Sequence, residues 1–260
     1  MATNREKQAS SDLTPCYAIL RRVQEGRHPY KKTSPSPQGE GDKGDRVSQE
    51  IFNEIAPGWY SFRHWSIFRG ELEALARRWQ KGRLLNVGCA HGPDFLPFRQ
   101  NFDLYGIDFS IKMLRLAQKY ARKFDFTANL ALADATQLPF PDATFDWAIS
   151  VATYHHLQDE EKRRAALSEL RRVLKVGGEA FITVWNRGQP RFWFKGKETT
   201  VPWRKQDQTL YRYYYLFTYP ELERLARQAG FTVLSSSPES SYHFPFKLCS
   251  RNICLLLKKT

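Results

Sequence analysis

From residue 47 onward, hydrophobic and polar positions alternate between two periods. Apolar residues recur at helical spacing in "SQEIFNEIA" (48–56), "IFRGELEALARRWQ" (67–80), "SIKMLRLAQKYARKF" (110–124), "DEEKRRAALSELRRVLK" (159–175) and "TYPELERLARQAG" (218–230). Ser110 stands where it would cap the third of these, and Gly177-Gly178 where the fourth should stop. Between them lie short apolar runs of strand length: "RLLNVG", "DLYGID", "NLALA", "FDWAISVA", "EAFITVW", "FTVLSSS" and "RNICLLLKK". Strands separated by helices of this length predict an α/β fold, a Rossmann-like and mostly parallel seven-stranded sheet with helices on both faces. No helix separates the last two strands, so the final one should enter antiparallel.

The first 46 residues read differently. "KKTSPSPQGEGDKGDR" (31–46) is Pro, Gly, Ser and charge, with nothing to bury, and predicts a disordered tail or linker ahead of one domain at 47–260. No stretch approaches the roughly 18–20 apolar residues that span a bilayer, and an apolar leader run is missing at the N-terminus, so a cytoplasmic protein without membrane contact is expected. Cys16, Cys89, Cys249 and Cys254 form no CxxC pair; reduced thiols are the expectation. No His or Cys set has convincing metal-ligand spacing.

The formal charge of +13 changes the picture through its location. Residues 47–185 carry 18 Lys and Arg against 16 Asp and Glu, close to balance, whereas 186–215 carry seven against two. The same thirty residues are crowded with aromatics and run into "VPWRKQDQTLYRYYYLF" (201–217). Cations interleaved with aromatic rings suit unpaired nucleic acid, where phosphates are neutralised and bases stack. Arg187, Arg191, Trp193, Trp203, Arg204, Lys205 and Tyr211 are the candidate contacts in this insertion (186–217). The plainer alternative is a lid packed on the sheet edge, with Tyr214 and Phe217 the expected packers and Arg212 and Tyr213 the expected site residues.

Ligands of such a sheet sit at the carboxyl ends of its strands. The first strand ends in "NVGCAHGPDF", where Gly88 and Gly92 permit a tight turn and a close backbone approach. Asp108 ends the second strand, placed to accept two ribose hydroxyls, and Asp134 follows the third, placed to accept an adenine amino group. The loop reads GxAxG in place of GxGxxG, which points away from a nicotinamide dinucleotide and toward another adenosine ligand.

"LLNVGCAHG", "YGIDFS", "LADATQLPFPDATFDWAIS", "HHL" and "LRRVLKVGGEAFITVW" resemble the class I S-adenosylmethionine-dependent methyltransferases. The resemblance implies S-adenosylmethionine as cofactor, held by Asn86, Gly88, Cys89, Ala90, Gly92, Asp108, Phe109, Asp134 and Ala135. Asn86 stands where the family usually has an acidic residue, and Ala90 where it has a glycine. "IFNEIAPGWYSFRH", "VPW" with "YRYYYLFTYPELERLARQAGF", and "SRNICLLLKK" are similar to the tRNA wobble-uridine carboxymethyl methyltransferases. That closer resemblance implies methyl esterification of a modified uridine in a tRNA anticodon loop, often with a small zinc-binding activator subunit. By family position, Arg63 and Arg212 would hold the carboxylate. His155 and His156, at the end of the fourth strand, stand where the methyl acceptor should lie, one either orienting it or hydrogen-bonding the fold, with Tyr213 a further site residue. Two other functions fit parts of the pattern: a small-molecule methyltransferase, such as one acting on a quinone precursor, and a non-catalytic RNA-binding module with a decayed cofactor site.

Overall fold

The computed structural model describes residues 40–260 apart from 206–207. Seven strands form one sheet: β1 (Gly82–Val87), β2 (Phe102–Asp108), β3 (Asn129–Leu132), β4 (Phe145–Val151), β5 (Leu174–Trp185), β8 (Phe231–Pro238) and β9 (Asn252–Lys259). Their spatial order is β3-β2-β1-β4-β5-β9-β8. β9 runs antiparallel to both neighbours while the other pairs are parallel, as the helix-free connection before it predicts. The chain reverses direction across the sheet between β1 and its neighbours β2 and β4, which opens a crevice at their carboxyl ends.

Successive side chains of each inner strand feed opposite layers. Leu85 and Ile182 enter a core with α4 (Glu160–Val173) and α5 (Tyr219–Gln228), represented by Leu167, Leu170, Leu222 and Leu225. Leu84 and Phe181 enter another with α2 (Arg69–Trp79) and α3 (Ile111–Lys123), through Leu72, Leu75, Trp79 and Leu114. Ser110 caps α3 as its position predicts, its hydroxyl accepting from the Met113 amide at 3.2 Å.

Four boundaries depart from the sequence reading. Helix α1 (Glu40–Phe62) takes in residues 40–46, which were assigned to the linker, because the Gly44 backbone packs tightly against the Gln158 amide. Residues 1–39 lie outside the described residues. The same helix continues past Ala56 through Pro57, held where Gly58 lies against the Trp203 indole. Helix α4 stops at Val173, and the glycine pair falls inside β5, with Gly177 at φ 82° and Gly178 pressed on the Asp146 carbonyl. The basic insertion forms a separate antiparallel hairpin, β6 (Glu198–Lys205) and β7 (Gln208–Tyr215), which the charges and Pro202 hide from a period-2 reading.

Candidate active site

The crevice is roofed by α1 and the hairpin, enclosing a cavity of about 290 Å³. One end is built from the β1, β2 and β3 termini. Gly88 has φ 72°, and a side chain there would overlap Thr153, whose Cβ and Oγ1 lie 2.8 and 2.2 Å from an added Cβ. Only glycine fits this turn. Ala90 also adopts a positive φ, 47°, and its methyl packs with Ile55, Ala56 and Met113, which accounts for a side chain at a position the resemblance expects to be glycine.

Asp108 accepts the Ala90 amide at 2.9 Å and the Ser110 amide at 2.8 Å, so the carboxylate both shapes the loop and lines the cavity. Burial pushes its carboxyl up to about 6 against the pull of these amides. Asp134 spends Oδ1 on the amide and hydroxyl of Thr136, leaving Oδ2 to accept from a ligand. Phe109 and Ala135 complete this wall, Phe109 held by its carbonyl to Gln49 of α1 at 2.6 Å. Asn86, expected to hold the cofactor, does not line the cavity: it is fully buried on β1, with neither its amide oxygen nor its nitrogen partnered. Cys89 and Gly92 do not line the cavity; the thiol enters the α2–α3 core, and Gly92, at φ 93°, opens a short 3₁₀ turn.

The other end holds two guanidinium groups. Arg212 is 6% exposed, flanked by the rings of Trp59, Trp203 and Tyr214 at 5.3–5.4 Å, and donates to the Tyr214 hydroxyl at 3.0 Å. Its Nε has no partner, and no carboxylate among the described residues pairs with it. Arg63 lies over Trp59 at 4.7 Å; burial depresses its basicity, the Asp94 carboxylate raises it, and the Arg212 charge lowers it again. His155 and His156 line the same end. The Trp185 amide donates to Nδ1 of His155 at 3.2 Å, and Nδ1 of His156 donates to the Tyr213 carbonyl at 2.9 Å. Burial drives His155 well down and His156 to about 4, so both rings are neutral at pH 7, with Nε2 protonated on His155 and unprotonated on His156.

Strand alternation decides which tyrosine enters. Arg212 and Tyr214 face the cavity, whereas Tyr213 lies on the opposite face with its hydroxyl donating to the Gln158 carbonyl at 2.8 Å. Tyr214 is therefore packed and site-lining at once, while Phe217 is core alone. Of the insertion residues, Trp203 lines the cavity, Arg191 and Trp193 line a neighbouring groove, and Tyr211, on β7, lines a smaller concavity against α1. Arg187, Arg204 and Lys205 stay outside these, with Lys205 paired to Glu54 at 3.1 Å. The sequence reading missed Trp59, Phe52, Asp94 and Thr153, all on the cavity wall. "PDF" after the glycine loop was the one visible signal for Asp94.

Residues 84–178 match a family model described as a methyltransferase domain. An Encephalitozoon cuniculi protein, named among the methyltransferases, is 30% identical over 70% of this chain and 84% of its own length. The chain belongs to the S-adenosylmethionine-dependent methyltransferases. The tRNA (carboxymethyluridine(34)-5-O)-methyltransferase of Arabidopsis thaliana is 33% identical over 52% of this methyltransferase, which spans only 31% of that relative's length. In fold it superposes on a Burkholderia thailandensis 1,6-didemethyltoxoflavin-N1-methyltransferase with TM-score 0.63 at 19% identity, covering 89% of this chain and 98% of that one. The cavity-lining Asp108 carboxylate, the open Asp134 oxygen and the Gly88 turn fit S-adenosylmethionine as the cofactor. Among the described residues no helix is long and apolar enough to cross a membrane.

Proposed function

We propose that this methyltransferase esterifies a carboxylate acceptor, the 5-carboxymethyl group of a modified wobble uridine in tRNA. One observation carries the reading: a buried, ring-caged Arg212 and its neighbour Arg63 put two cations into the acceptor end without a carboxylate to pair with Arg212. Buried charges are ordinarily compensated, so an anionic group of the acceptor is the natural partner. The tRNA part of the reading draws on the relatives named for that activity.

The bound cofactor supplies an electrophilic methyl on a sulfonium centre. The protein's own task is placement: a carboxylate is ionised at pH 7, so no residue need take its proton. Arg212, fixed by three rings, is positioned to hold one carboxylate oxygen and leave the other to attack. The neutral histidines keep further positive charge away from that nucleophile, and the Nε2–H of His155 is available to a neutral acceptor on the uracil. The cage residues Trp59 and Trp203 exclude water from the transfer.

The test is methyl incorporation from labelled S-adenosylmethionine into tRNA lacking the modification, with and without a small zinc-binding subunit. Label on a wobble nucleoside that mild alkali releases as methanol supports the reading. Label resisting alkali, or no label despite cofactor binding, overturns it.

A further inference from the structure

A second concavity of about 990 Å³ adjoins the catalytic cavity and shares Arg63 and Trp185 with it. Its volume lies at the top of the roughly 300–1,000 Å³ range that holds a drug-sized ligand. One wall is the turn leading to the hairpin, with Arg191 and Trp193; the other is the β8–β9 connection, with Phe244 and Arg251.

The walls are built rather than incidental. Asn186, 2% exposed, donates across the gap to the carbonyls of Leu248 and Ser250 at 2.8 and 2.9 Å, and Gln189 donates to the Arg251 carbonyl at 2.9 Å. Gly188 brings the first wall so close that a side chain there would strike the Leu248 carbonyl. A buried amide network of this kind holds its surroundings rigid. What it holds is open: Trp193 and Phe244 are each 59% exposed, although the Trp193 indole nitrogen is fixed to the Gly188 carbonyl at 2.8 Å.

The charge of the groove is positive and unspent. Among the described residues neither Arg191 nor Arg251 has a carboxylate partner, and their like charges act on each other. Arg191 lies over Trp185 and Phe192 at 4.6 and 4.5 Å. Glu239, the acid of the groove, is buried and accepts the amides of Arg251 and Asn252.

The geometry points to a single-stranded RNA track: the nucleotides next to the methyl acceptor run from the catalytic cavity over Arg63 and Trp185 into this groove. There Trp193 and Phe244 stack on bases, and Arg191 and Arg251 neutralise phosphates. Exposed rings and unpaired cations lining one groove match a nucleic-acid strand, bound by stacking and charge. This inference rests on the tRNA reading above.

The experiment uses the full chain and a 5′-labelled pentauridylate and anticodon stem-loop, followed by fluorescence anisotropy across salt concentrations. Trp193→Ala should weaken binding about tenfold, within the range for one lost base stack. Arg251→Ala should lower the log–log salt slope by about 0.7, one phosphate's worth on a single strand. Cofactor binding by each variant, measured in parallel, reports folding. If wild type binds and methylates RNA while both variants match it, the groove assignment fails and the tRNA reading stands. If wild type neither binds nor methylates RNA, both fail.

Discussion

His91 offers a quantitative check on how the site is assembled. It sits in the cofactor loop, fully buried, with Nε2 donating to the Arg63 carbonyl at 2.6 Å and its ring edge-on to Tyr60 of α1 and Tyr120 of α3. Nδ1 has no partner, so a second proton would create a buried, unpaired N–H. Burial pushes the imidazole down to about 4, the Arg63 carbonyl pulls it up, and the charges of Arg63 and His64 push it further down. The folded pKa lies below the unfolded value of about 6.5, so the unfolded chain takes the proton first as pH falls. Stability from this group is complete above about 7, falls as pH drops through the window from about 6.5 to 4, and levels off below about 3.

Between pH 7 and 5 the loss is about 2 kcal/mol, rising to about 2.8 kcal/mol at pH 4 and toward a limit of ~3.4 kcal/mol below about pH 3. Asp108, pushed up to about 6, runs the other way and destabilises the fold as pH rises through about 3.8–6. Comparing wild type with His91→Gln cancels that contribution, since both proteins retain Asp108. Urea unfolding at pH 7, 6 and 5 should show wild type losing about 2 kcal/mol more than the variant. Parallel profiles, differing by less than about 0.5 kcal/mol across that range, would refute a neutral buried His91.

Two further outcomes are expected at the cofactor end. Gly88→Ala forces an alanine to φ 72° against Thr153 and should weaken S-adenosylmethionine binding at least tenfold by calorimetry; undiminished affinity would mean the loop is not held as described. If the ionised Asp108 accepts ribose hydroxyls, cofactor affinity should drop about tenfold between pH 7 and 5, following its ionised fraction, and Asp108→Asn should bind weakly with no such dependence.

The sheet was legible in the sequence because its strands are buried on both faces and read as unbroken apolar runs ending in turn residues. The end of the cavity built from the β1, β2 and β3 termini was legible too, since strand ends converge in this topology and Gly88, Asp108 and Asp134 line it. The acceptor end was legible only in part. Arg63 and Arg212 stand out as cations, but choosing Tyr213 over Tyr214 needed the face of β7, and neighbouring strand residues look alike until the register is known. Pro57 disguised the length of α1, because what keeps the helix going is a tertiary contact with Trp203, 145 positions away. His91 looked like a loop residue; its burial comes from α1 and α3 closing over the loop, which no local pattern encodes.

The central claim is that Arg212 and Arg63 receive the negative charge of the acceptor. Its most direct measurement is equilibrium binding of two anticodon stem-loops, one carrying carboxymethyluridine and one its neutral carbamoylmethyl counterpart, to wild type and Arg212→Met. Wild type should prefer the charged form at least tenfold, about 1.4 kcal/mol, and the variant should lose that preference while binding the neutral form about equally. Equal affinity of wild type for the two forms, or a preference that survives in Arg212→Met, would contradict it.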